Sequence, residues 1–244
     1  MDQTLSTTGL ELHSNGTRPT RVQVFGERSS GTNFVKRLIG KNTVLRPCED
    51  YGWKHGFPQM TGIGADTLIV ACFRNVHDWL RSMHAKPWHC PPEMQALAFS
   101  DFIRAEWATV IDRPRYFPGA DRLNMVGQPL QQDRDPATGL PFDNILQLRR
   151  AKAASLLTFR NRGCNLVLAR LDAVQPDPAA FLAQLTRSFD LPAVDPVKPV
   201  VKRLGAKFKY AVDAHPETPN TLSNEDLAFI QSQLDPDLEA TLGY

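Results

Sequence analysis

The chain has 244 residues, 42% hydrophobic and 22% charged, with 28 Lys plus Arg against 26 Asp plus Glu. A chain of this length buries roughly 70% of its unfolded surface and needs no disulfide or metal staple to hold a core. A net charge of +2 excludes bulk electrostatic attraction to nucleic acid or to a membrane, and leaves open only a local basic site.

Residues 1–20 carry no periodic pattern and read as a flexible N-terminal tail without the apolar run of a signal peptide. The first strong element is the β-rich run Arg21–Phe25. A small-residue loop, Gly26 to Thr32, follows at once. Phe34, Val35, Leu38 and Ile39 then recur at helical spacing, and Gly40 stands where a helix would stop. The unit repeats. Residues 67–73 form a continuous apolar run, as expected of a parallel strand buried on both faces. Its apolar stretch is far too short to span a membrane. Arg74 and Asn75 follow, then a helix over 77–85. Asp143 is expected to cap a long helix through Leu148, Leu156, Leu157 and Phe159. Residues 165–171 read as a third strand and 177–189 as an amphipathic helix with Pro178 in its first turn. Ser223 to Asp226 read as the cap of a last helix through Leu234.

Strands alternating with helices predict a single α/β domain over 21–244, a parallel sheet flanked by helices with right-handed crossovers. Residues 86–142 break this grammar, with a Pro-rich stretch at 86–96 and an aperiodic one of about 30 residues at 112–142. Loops that long inside a domain are usually functional, so the segment is read as an elaboration shaping an acceptor pocket. Cys48, Cys72, Cys90 and Cys164 are scattered. They suggest neither a zinc ribbon nor a disulfide framework, and point to reduced thiols in the cytoplasm.

The chemistry concentrates in the first loop. A glycine-rich loop between strand and helix aims backbone N–H groups and the positive helix end at an anion. Gly26 and Gly31 have P-loop spacing, but Thr32 and Asn33 stand where a nucleotide triphosphatase would carry Lys and Ser/Thr. Arg74 stands at the end of the second strand, where a Mg²⁺-supporting carboxylate would be expected. The loop therefore reads as built for a phosphate carried without metal. Arg74, in the crevice where α/β ligands bind, offers a bidentate fork for a second anionic group, and Ser82 offers a hydroxyl.

Val24 to Asn33 resembles the 5′-phosphosulfate loop of the sulfotransferase family. Phe73 to Ser82 resembles its 3′-phosphate motif, an Arg-Asn pair with Ser eight residues after the Arg. Leu168 to Asp172 followed by Asp177-Pro178, and the closing Leu238 to Tyr244, resemble later family elements. The resemblance covers about residues 21–244 and implies a P-loop nucleotide-binding-like, sulfotransferase-type fold. It implies metal-free transfer of a sulfuryl group from 3′-phosphoadenosine 5′-phosphosulfate to an acceptor hydroxyl, less readily an amine, on a small molecule or carbohydrate. It also implies a donor site of Arg28, Ser29, Ser30, Gly31, Thr32 and Asn33, with Arg74 and Ser82 on the 3′-phosphate. Family loops often carry Lys or Arg where this chain has Ser29. Arg28 is therefore expected to meet the leaving phosphate, with Lys36 or Lys54 as substitutes. Residues 53–58 resemble the strand-end motif that holds a catalytic histidine, making His55 the expected base, with Glu27 or Asp50 as carboxylate alternatives. Two rivals stand beside this reading: a nucleotide-binding module that has lost its chemistry, and a Mg²⁺-dependent P-loop kinase.

Other features read as ordinary. His77, His84, His89 and Cys90 match no common zinc spacing. Arg149, Arg150 and Lys152, with Asp133, Arg134 and Asp135, read as a solvated charged face. Phe102, Trp107, Tyr116 and Phe117 read as packing. The basic stretch Lys198 to Lys209 reads equally as a solvated loop or as a loop closing over the 3′-phosphate.

Overall fold

The computed structural model describes residues 4–193, 195–201 and 208–244. In chain order the elements are α1 (Leu5–Thr8), β1 (Leu10–His13), β2 (Arg21–Gly26), α2 (Thr32–Asn42), β3 (Arg46–Pro47), β4 (Thr67–Phe73), α3 (Val76–Ala85), α4 (Pro92–Gln95) and α5 (Phe99–Arg104). They continue as α6 (Ile145–Leu157), β5 (Asn165–Arg170), α7 (Leu171–Val174), α8 (Pro178–Ser188), α9 (Asn224–Gln233) and α10 (Pro236–Leu242). The backbone gathers into two compact units. The first takes Met1–Asn75, Lys152–Leu204 and Asp235–Tyr244; the second takes Val76–Ala151 and Gly205–Leu234.

The first unit holds the sheet, in the order β1-β5-β4-β2-β3. Pairs β2–β3, β2–β4 and β4–β5 are parallel, and β1 runs antiparallel to β5. β4 is buried at all seven positions, as an apolar run covered on both faces requires. Its side chains alternate: Leu68, Val70 and Cys72 join one core with Val35, Leu38 and Ile39 of α2 and Phe181, Leu182 and Leu185 of α8. Ile69, Ala71 and Phe73 join another with Phe25, Leu156 and Phe159. The registers Gly26↔Cys72 and Phe73↔Arg170 bring the carboxyl ends of β2, β4 and β5 to one edge of the sheet.

The expected N-terminal tail is instead part of this unit. Leu10 and Leu12 alternate with Glu11 and His13, enough for a short strand whose backbone groups pair with β5 from Leu10↔Ala169 to His13↔Leu166. Leu5 of α1 is fully buried, and Arg160 grips both oxygens of Glu11 at 2.8 and 2.7 Å. The pattern spans only four residues, too few to register as a period.

Helix ends follow their capping residues. Asp177 Oδ1 accepts from Ala180 N at 2.9 Å and Ser223 Oγ from Asp226 N at 3.0 Å. At the start of α6 it is Asn144, not the expected Asp143, whose Oδ1 accepts from Leu146 N and Gln147 N.

In the second unit, residues 105–144 have little regular structure. The backbone there is tied by the Val110↔Pro129 bridge and by Thr109 Oγ1 donating to buried Asp133 at 2.8 Å. Among the described residues, no helix is long and apolar enough to cross a membrane.

Candidate anion loop and histidine site

β2 ends on Gly26, where φ is +151° and an added Cβ would lie 2.7 Å from the Cys72 carbonyl and 2.6 Å from Ser30 Oγ. Only glycine lets the two strands come this close at the loop. Ser30 closes the turn beyond it, its Oγ and N both donating to the Glu27 carbonyl at 2.6 and 3.1 Å. Ser29 has φ +65°. Gly31, at φ +92°, begins α2 without a side-chain cap. An α-helix leaves its first N–H groups without intrahelical partners and carries its positive dipole end there. At the start of α2 those groups belong to Thr32 and Asn33. The loop is thus braced by its own hydrogen bonds and presents helix-start donors at the sheet edge.

Arg74 follows β4 directly. Half-buried, it donates from Nη1 to the Ser29 carbonyl at 3.0 Å, so the guanidinium expected to bind an anion is fixed to the loop expected to bind another. Ser82 lies half-buried on α3, in the second unit.

Residues 53–55 run beside the end of β2. Gly26 N donates to the Lys54 carbonyl at 3.0 Å, and His55 Nδ1 lies 2.7 Å from the Gly26 carbonyl oxygen. A carbonyl only accepts, so Nδ1 carries the proton and Nε2 of the neutral ring keeps its lone pair. Burial pushes the His55 pKa well below the ordinary histidine value. The Lys54 charge adds to this, the Gly26 bond opposes it, and Arg28 and Lys152 push the same way. Trp53 meets the imidazole edge-on at 5.3 Å between ring centres.

Beneath the loop lies a charged cluster. Glu27, Arg28 and Lys152 are all buried. Glu27 Oε1 accepts from Arg28 N at 2.7 Å and Nε at 3.2 Å. Lys152 Nζ lies 3.1 Å from Glu27 Oε2 and donates to the His55 carbonyl at 2.7 Å. Both cations face the Trp53 ring. Glu27 is thus engaged by two cations, an arrangement that suits holding the loop better than taking a proton. Asp50, the other carboxylate considered, is exposed.

Lys152 is the residue the sequence reading missed. It was expected on a solvated face with Arg149 and Asp133, and all three are buried. The signal was its place on α6: Leu148, Lys152 and Leu156 stand four residues apart on one helix face, and both leucines are buried. A lysine in the middle of an apolar stripe needs a partner, and Glu27 and the His55 carbonyl supply one.

The substitute cations lie at the side of α2. Lys54 Nζ donates to Asn33 Oδ1 at 2.8 Å, and Lys36 pairs with Glu49 at 2.6 Å. Of the basic stretch 198–209, Lys202, Arg203 and Lys207 lie outside the described residues. Lys209 is exposed, and its carbonyl accepts from Arg113. His84 is hydrogen-bonded to Thr218 and Leu97, and His89 faces Asp112 at 2.6 Å.

Compared with protein-family models, curated proteins and solved structures, the chain shows no significant match.

Proposed function

We propose that the chain is a sulfotransferase that moves a sulfuryl group from 3′-phosphoadenosine 5′-phosphosulfate to an acceptor hydroxyl. The observation that carries this reading is the joining of Arg74 to the Ser29 carbonyl, which unites an arginine after one parallel strand with a glycine loop after its neighbour. The donor needs that combination, because its two anionic ends sit on opposite sides of one ribose. The N–H groups of Thr32 and Asn33, with Ser29, Ser30 and Gly31 shaping the loop, take the 5′ end. Arg74 takes the 3′-phosphate. Arg28 meets charge developing on the bridging oxygen.

In the transfer, the acceptor oxygen attacks sulfur, the bond from sulfur to the bridging phosphate oxygen breaks, and His55 Nε2 receives the hydroxyl proton. A cytoplasmic setting is part of this proposal, on the scattered spacing of the four cysteines. One observation favours a second reading, donor binding without transfer: Arg28 is buried against Glu27, one residue before the usual place of the loop cation.

Calorimetric titration with 3′-phosphoadenosine 5′-phosphate in EDTA, with ATP as comparison, tests the proposal. Binding that needs no metal and is lost in Arg74→Ala supports it. ATP binding that requires Mg²⁺ points to a kinase, and no binding of either nucleotide refutes the donor site. With donor binding established, His55→Gln separates the two remaining readings. Transfer in the parent that falls about 10²–10⁴-fold in the variant identifies the base, whereas a parent inactive on a broad acceptor panel is a binding module.

A further inference from the structure

Along the side of α2 lies a cavity of about 350 Å³ lined by Asn33, Lys36, Arg37, Gly40, Lys41 and Pro47. That volume falls within the range of small-ligand sites. The lining holds three cations and no carboxylate. On a helix rising 1.5 Å per residue, Lys36 and Lys41 stand about 7–8 Å apart along the axis. Gly40 keeps the floor bare, since a Cβ there would sit 2.7 Å from Pro47 Cγ.

Arg37 provides the second observation. Its Nη1 is buried and, among the described residues, has no hydrogen-bond partner. A charged donor shut away from water without an acceptor is costly, and it leaves the Arg37 charge beside the cavity without a neutralising partner among the described residues. The neighbouring charges point the same way. Among the described residues, the ion pairs made by Lys36 and Lys54 both go to Glu49, an exposed side chain. Among the described residues, Lys41 donates to a backbone carbonyl, that of Pro199, at 3.2 Å. Burial holds the Lys54 pKa below the ordinary lysine value, against the pull of Glu49, and the charges of Lys36 and Arg37 lower it further. Positive charge is crowded here beyond what its partners neutralise.

We infer that this cavity is a binding site for a small polyanion, a phosphorylated or sulfated compound with at least two anionic groups, held by Lys36, Arg37 and Lys41. Arginine supplies the bidentate fork and the lysines supply point charges. Lys36 exchanges Glu49 for the ligand, a small loss because the pair is solvent-exposed. The inference does not depend on the donor reading, although Asn33 stands at the boundary of both sites.

The test is titration of the whole chain with inorganic tripolyphosphate in EDTA, followed by calorimetry, with inorganic monophosphate as comparison. The expected result is a one-to-one complex weakened at least tenfold by Arg37→Gln and by Lys41→Gln and unchanged by Arg74→Ala. Monophosphate should bind at least tenfold more weakly. Lys41 is exposed, so Lys41→Gln carries the test even if Arg37→Gln fails to fold. Absence of saturable binding overturns the inference. So does loss in Arg74→Ala with retention in the α2 variants, which would put the ligand on the glycine loop. Equal losses in all three variants would mean diffuse attraction, and equal affinity for monophosphate would remove the polyanion class.

Discussion

Glu11→Gln is the sharpest stability test the fold offers. Burial alone would raise the Glu11 carboxyl. Hydrogen bonds from Arg160, His13 and the Leu5 N–H overcome it, aided by the Arg160 charge, and bring the pKa down from 4.5 to about 2. At roughly 1.4 kcal/mol per unit, a drop of that size stabilises the folded state by about 3 kcal/mol. The folded pKa is depressed, so this stability is complete above the unfolded value of 4.5 and drains away as pH falls towards 2. Glutamine keeps the shape and removes the charge. Urea unfolding should therefore show Glu11→Gln weaker than the parent by about 3 kcal/mol at pH 7, the gap narrowing by about 1.4 kcal/mol at pH 3.5. Amide exchange along β1, which Glu11 secures, should quicken in the variant at pH 7. A gap under about 0.5 kcal/mol at pH 7, or one that does not narrow with acid, would show that the N-terminal strand is not held through this carboxylate.

Three further outcomes follow from the same geometry. Lys152→Met removes the cation beside buried Glu27 and should cost about 3 kcal/mol in urea unfolding; adding Glu27→Gln should recover part of it, and an unchanged midpoint in the single variant would exclude a stabilising pair. His55 and His84 both have pKa values lowered chiefly by burial. The unfolded chain then binds more protons below about 6.5, so stability should fall as pH drops from 7 to 5.5, and His55→Gln should flatten that slope by thermal melting. Gly26→Ala drives a Cβ against the Cys72 carbonyl and Ser30 Oγ at a positive φ. It should cost more than about 2 kcal/mol and abolish the anion binding proposed for the loop; a variant that melts like the parent would contradict the close strand approach.

The central strands were legible because each carries its own signature. β4 is a run of seven buried residues that can be little else, and β2 announces itself through the loop that follows. Arg74 and His55 were legible as neighbours of those strand ends, a matter of local order. What escaped was set by long-range pairing. β1 is four residues long, and only its partner β5, some 150 residues on, makes it a strand. Lys152 looks like any surface lysine until α6 turns its Leu148–Leu156 face inward and Glu27 meets it from a loop more than a hundred residues earlier. The choice of Asn144 over Asp143 as cap is a shift of one residue that capping preference alone does not settle, since both residue types cap well.

The surroundings of His55 also constrain how the proposed transfer would use it. Motif order names the residue but not the nitrogen; the Gly26 carbonyl fixes the proton on Nδ1 and leaves Nε2 as the acceptor. The same surroundings disfavour the charged ring, because burial and the positive charges of Lys54, Arg28 and Lys152 all oppose imidazolium. A base so weakened cannot remove a proton from a free alcohol in advance of reaction. It becomes competent only as the new sulfur–oxygen bond forms and the hydroxyl turns acidic. In the proposed reaction, proton transfer would therefore be concerted with, or later than, attack on sulfur. The charges that weaken His55 as a base also make its protonated form more acidic than an ordinary imidazolium, which would favour release of the proton after the proposed transfer.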